Sequence, residues 1–118
     1  MAVEFEITDR KVDEDTHVVA VTGEIDLFTA PEFKQRMSEL IDAGRSRLVV
    51  DLSETTFIDS SSLGVLIGAH RRLKLRGGAL LVVCASEAIA KTFKITSLDG
   101  VFTLADSVDA ALAGDGRA

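Results

Sequence analysis

Three stretches, Leu48-Val49-Val50-Asp51-Leu52, Phe57-Ile58-Asp59-Ser60-Ser61-Ser62-Leu63-Gly64 and Ala79-Leu80-Leu81-Val82-Val83-Cys84, decide the fold. The first and last are aliphatic at nearly every position, the composition of strands covered on both faces. Between them Leu63, Leu66, Ile67 and Leu73 recur at helical spacing, which predicts a helix from about Ser61 to Arg76 ended by Gly77-Gly78. Strand, helix, strand is one parallel crossover, so the chain is read as α/β.

Upstream, Val3, Phe5 and Ile7 alternate with acids and Thr8, the period of an edge strand with one wet face. After the polar run 9–16, the segment from His17 to Thr22 reads as a second strand paired to the first as a hairpin. The chain turns at Gly23, and Thr29 with Glu32 forms a capping-box pattern with Pro31 in the first helical turn. Phe33, Met37, Leu40 and Ile41 make one apolar helix face, which Gly44 ends. Downstream, a helix from Ser86 to about Thr96 buries Ile89 and Phe93, an Asp99-Gly100 turn follows, and Val101 to Leu104 forms a short strand. A last helix, capped by Asp106 or Ser107, packs Val108, Ala111 and Leu112 inward. The expectation is a single domain, 1–118, with its core at about 3–113 and a flexible tail at 114–118. It has a mixed β-sheet of four to five strands with parallel crossovers, covered by about four helices.

The 118 residues hold 13 Lys and Arg against 19 Asp and Glu, a formal net charge of −6. That balance argues against nucleic-acid binding, which draws on clustered cations. All of the excess lies in residues 1–26, and the remainder sums to zero. The main basic cluster, Arg71, Arg72, Lys74 and Arg76, falls at a predicted helix end, where cations complement the helix dipole; a phosphate patch is the weaker reading. Cys84 is the only cysteine, which excludes an internal disulfide and a multi-cysteine metal site. The acidic, alternating start lacks the pattern of an export signal, and no apolar run approaches the roughly 20 residues of a membrane span. A soluble cytoplasmic protein, without membrane attachment, cofactor or metal, is expected.

The sharpest feature is the three hydroxyls that follow Asp59. Helix capping explains one of them, since a single side chain satisfies the cap, and leaves two without a structural role. A hydrolase nucleophile requires a base within reach, and neither His17 nor His70 is placed to supply it; the glycines of a nucleophile elbow are also absent. Gly77-Gly78 follows a helix where a phosphate loop precedes one. The remaining chemistry is that of a substrate: a hydroxyl at a helix start can enter another protein's active site, and phosphorylation there adds about −1.5 to −2 charges. Capping and this modification both stay open on the residues alone.

Two motifs resemble those of the STAS-domain anti-sigma factor antagonists of bacterial partner-switching systems. The first is Gly23-Glu24-Ile25-Asp26-Leu27-Phe28-Thr29-Ala30-Pro31, similar to the family's Gly-Glu-(Ile/Leu)-Asp loop and Ala-Pro helix start. The second runs from Val49-Val50-Asp51-Leu52 through Asp59-Ser60-Ser61-Ser62-Leu63-Gly64, similar to the family's strand, loop and Asp-Ser-(Ser/Thr)-Gly-Leu-Gly helix start. With the element order, the resemblance covers about residues 3–113.

The resemblance implies a non-enzymatic regulator with Ser60 as phosphoacceptor and Ser61 and Ser62 as lesser candidates. It implies an anti-sigma factor serine kinase as partner, a sigma factor released by the unphosphorylated form, and a serine phosphatase that resets the switch. Asp26, Asp59, Ser60, Ser61, Ser62, Leu63 and Gly64 are the expected partner-binding residues. Ser62 departs from the family's usual Gly, and its side chain is expected to narrow the choice of kinase. Two other readings compete. One is a scaffold subunit of a sensory or transport complex that uses the same surface without phosphorylation; the other is an enzyme or nucleotide binder that uses Ser60 or Ser61 chemically.

Overall fold

The computed structural model describes residues 4–114. The elements run β1 (Glu6–Lys11), β2 (Thr16–Ile25), α1 (Ala30–Asp42), β3 (Arg47–Asp51), β4 (Thr55–Ile58), α2 (Ser60–Leu75), β5 (Ala79–Val83), α3 (Glu87–Ile95), a 3₁₀ turn (Leu98–Gly100), β6 (Thr103–Ala105) and α4 (Val108–Gly114). The sheet is ordered β1-β2-β3-β5-β6, with β1 antiparallel to β2 and the later pairs parallel. This is the mixed α/β sheet with parallel crossovers and four α-helices that the sequence predicts.

Both faces of the sheet are covered, and the strand alternation assigns each residue to one of them. Val19, Val21, Leu48, Val50, Leu80 and Val82 pack in the main core with Phe33, Met37, Leu66, Leu73 and Phe93 of α1, α2 and α3. Val18, Val49, Leu81 and Val83 face the other way, against Ala111 of α4. Hence β3 and β5 carry no polar alternation.

The structure corrects several local expectations. β1 extends through Lys11 and β2 through Ile25, so less of 9–16 is loop than predicted. β6 starts at Thr103, because Leu98–Gly100 winds into a 3₁₀ turn. Ser107 is the residue that caps α4, its Oγ accepting from the Ala110 N–H at 3.0 Å. The helix continues through Gly114, the first residue of the expected 114–118 tail, and the rest of that tail, like Val3, lies outside the described residues.

The most consequential addition is β4, which the sequence did not predict. β2 pairs with β3 along Thr16–Ala20 and then with β4 along Gly23–Ile25, with a register shift between Gly23 and Glu24. Gly23 has φ +94°, a conformation that side chains disfavour and glycine permits. Thr55 anchors β4 by donating its hydroxyl to the Val21 carbonyl at 2.8 Å. At the other end of the sheet, a Cβ on Gly78 would lie 2.0 Å from the Ser46 carbonyl oxygen, so only glycine lets α2 hand over to β5 there.

Candidate functional site

β2 and β4 end side by side, Ile25 in register with Ile58, and the next residues of the two strands are Asp26 and Asp59. The two aspartates that the sequence singles out are therefore brought to neighbouring strand ends by pairing across 32 residues of intervening chain.

Each aspartate organises a turn. The Asp26 carboxylate accepts from the Phe28 and Thr29 N–H groups at 2.9 and 3.1 Å. The Thr29 hydroxyl accepts from the Asp26 N–H at 2.9 Å and donates to the Glu24 carbonyl at 3.0 Å. Thr29 thus closes this loop instead of forming the expected capping box with Glu32: it stands at the helix N-cap without a side-chain cap bond. The Asp59 carboxylate accepts from the Ser61 and Ser62 N–H groups at 3.0 and 3.2 Å, capping α2. The Ser62 hydroxyl accepts from the Asp59 N–H at 3.2 Å and donates to the Ile25 carbonyl.

The expected roles of Ser62 and Leu63 at the surface are therefore corrected. Ser62 has no exposed surface, and its hydroxyl is committed inward, so it is neither an accessible phosphoacceptor nor a side chain that meets a kinase. Leu63 packs in the main core. What remains accessible is Ser60, exposed, with Gly64 one turn further and Asp26, Asp59 and Ser61 partly exposed. Among the described residues Ser60 Oγ makes no hydrogen bond, because Asp59 already serves the first-turn amides.

Sequence reasoning missed the apolar neighbours. Leu27 and Phe28, in the Asp26 loop, are 67% and 87% exposed, and Phe57 on β4 is 46% exposed. These exposed side chains, in the loop after β2 and on β4, belong to neither core cluster. The readable signal was Leu-Phe placed between a strand and a helix start, a position that no core claims.

The acid–base groups lie elsewhere. His17 is eight residues before Ile25 on β2, about 26 Å along an extended strand. His70 is ten residues beyond Ser60 on α2, about 15 Å along the helix. His70 stacks edge-on against Phe102 with ring centroids 5.4 Å apart, and burial, aided by Lys74, lowers its pKa below 6.5. Burial likewise pushes the Cys84 thiol up to about 11, which keeps it a neutral core group. No base reaches Ser60 from either histidine. Among the described residues, no three His, Cys, Asp or Glu side chains converge as metal ligands, and no helix is long and apolar enough to cross a membrane.

Residues 8–111 match the STAS domain. The chain belongs to the STAS-domain family of anti-sigma factor antagonists. It is 32% identical over 105 residues to the anti-sigma-B factor antagonist of Listeria monocytogenes, covering 88% of this chain and 90% of the relative. Among solved structures it resembles an anti-sigma factor antagonist from Mycobacterium paratuberculosis, with TM-score 0.80 and 27% identity over 94% of this chain and 93% of that one. The fold is also that of the Bacillus cell fate determinant SpoIIAA, solved in a phosphorylated form, with TM-score 0.72 and 22% identity over 95% of this chain and 99% of that one. In this STAS domain the Asp26 loop and the Asp59 turn follow the paired ends of β2 and β4, and Leu27, Phe28, Phe57 and Ser60 are exposed.

Proposed function

We propose that this STAS domain acts in the cytoplasm as a non-enzymatic antagonist. Unphosphorylated, it binds an anti-sigma factor serine kinase and so releases the sigma factor. Phosphorylation of Ser60 by that kinase ends the interaction, and a serine phosphatase restores it. The observation that carries the reading is the Ser60 hydroxyl: exposed, free of hydrogen bonds among the described residues, and held on a turn whose amides are satisfied by Asp59. Such a group can accept a phosphoryl group without breaking any bond of the fold.

The charge logic follows from the neighbours. A phosphate adds about −1.5 to −2 charges beside Asp26 and Asp59, on a chain already at −6. The α2 dipole offsets part of that charge, so the fold tolerates it. A partner seated on Leu27, Phe28 and Phe57 faces an anion in an apolar contact and is repelled through desolvation.

The test is incubation with the cognate kinase and ATP, mass mapping of the modified residue, and binding assays on two variants. Ser60→Ala binds the kinase like the wild type and takes up no phosphate at this position. Ser60→Asp loses about a hundredfold in affinity, equivalent to roughly 3 kcal/mol. Undiminished binding by Ser60→Asp overturns the charge switch.

A further inference from the structure

Helices α1 and α2 lie side by side, and a groove of about 800 Å³ runs outward between them from Leu27 and Ser61 to Ile41 and Arg72. Its volume falls in the range of small-molecule sites, as does its character, mostly apolar with a few polar groups. Pro31, Met37 and Val65 contribute to the apolar wall. Two features of the groove have no account in the fold.

The first is a pair of glycines. Gly64 and Gly68 stand one turn apart within α2 and line the groove, and a Cβ at either position would meet nothing within 4 Å. Glycine inside a helix costs about 1 kcal/mol relative to alanine, and no neighbouring atom requires it at these positions. The second is charge. Lys34, Arg71 and Arg72 line the groove and no carboxylate does, in a chain of net charge −6. Arg72 is paired with Asp42. Lys34 and Arg71 make no ion pair among the described residues.

We infer that this groove binds a single-chain anionic amphiphile, its tail along the glycine floor and its carboxylate or phosphate head against Lys34 and Arg71. The charge of the lining selects an anionic head, and the apolar wall selects a tail. The inference stands independently of the phosphorylation reading, since it needs neither Ser60 nor a kinase.

The experiment titrates the protein with dodecanoate, dodecyl phosphate, dodecanol and dodecyltrimethylammonium below their micelle concentrations, following backbone amide shifts. The first two distinguish carboxylate from phosphate heads, and the last two test the sign of the charge. The expected result is saturable binding of at least one anion, with shifts centred on Gly64, Gly68 and Lys34, and about tenfold weaker binding of the neutral and cationic chains. Gly68→Leu fills the groove, and its melting temperature shows that the fold is kept; it weakens anion binding about tenfold or more. Lys34→Glu with Arg71→Glu removes the preference for the anion. Three results overturn the inference: equal binding of the cation, undiminished binding by Gly68→Leu, or silence toward every amphiphile. Groove shifts produced only by an acidic helical peptide also overturn it, and make this face a protein-docking surface.

Discussion

The loop before α1 and the start of α2 share one hydrogen-bonded frame and display different things on it. In each, an aspartate carboxylate accepts from the amides two and three residues ahead, and the hydroxyl three residues ahead accepts from the aspartate N–H. In each, that hydroxyl also donates to β2, at Glu24 for Thr29 and at Ile25 for Ser62. Between aspartate and hydroxyl, one frame holds Leu27-Phe28 and the other Ser60-Ser61. A third turn, at the opposite end of β2, repeats the carboxylate half: Asp13 accepts from the Asp15 and Thr16 N–H groups, both at 2.9 Å, and displays Glu14-Asp15. The difference separates two jobs. The aspartate and hydroxyl hold the backbone, and the pair between them is presented at the surface.

If that division is right, stability and binding respond to different residues. The largest stability loss falls at Ser62. Ser62→Ala strips partners from the Ile25 carbonyl and the Asp59 N–H in a fully buried place, and should cost about 2 kcal/mol in urea unfolding. Thr29→Val removes the corresponding bonds at a partly exposed position, and should cost about 1 kcal/mol. Equal losses at the two sites would show that burial does not distinguish the frames. Exchanging the displayed pair, by Leu27→Ser with Phe28→Ser, should leave stability within about 0.5 kcal/mol. The same double variant should weaken kinase binding about tenfold. Calorimetry on both quantities decides whether display and scaffold are separable.

The smallest effect is expected at the third turn. The Asp15 N–H, chiefly, with that of Thr16, holds the Asp13 carboxyl below its ordinary 3.8. A carboxylate with a lowered folded pKa contributes stability above the unfolded value, and that contribution is lost as pH falls through the folded value. The wild type should therefore lose slightly more stability between pH 5 and pH 3 than Asp13→Asn, whose side-chain oxygen still accepts but does not titrate. Matching acid slopes in the two proteins would remove the ionised carboxylate from the account of that turn.

Much of this architecture is legible in the sequence because its signals are local. The aliphatic runs at β3 and β5, the stripe on α2 and the glycines that end it each fall within one element. β4 escaped because Thr55-Thr56-Phe57-Ile58 buries only its two ends and shows neither alternation nor a continuous apolar run. Ser62 was misjudged for a different reason. A serine is buried only where a distant acceptor comes to it, and the Ile25 carbonyl is 37 residues away in sequence. Thr29 and Glu32 have the spacing of a capping box, but the Asp26 loop takes the hydroxyl first. The exposed hydroxyl of Ser60 at the start of α2 was readable from its motif. Its apolar surroundings and the groove were not, because they depend on which helices and loops become neighbours.

The branching of β2 has a consequence for how such a protein diversifies. Because the Asp26 and Asp59 loops hang from adjacent carbonyls of one strand, their spacing is set by the sheet and does not depend on what they present. New side chains at positions 27, 28 and 61 can therefore change what this surface presents while the architecture beneath, and Ser60, stay constant. On the proposed function, a lineage carrying several copies of this domain can keep their circuits insulated from one another by changing those three residues.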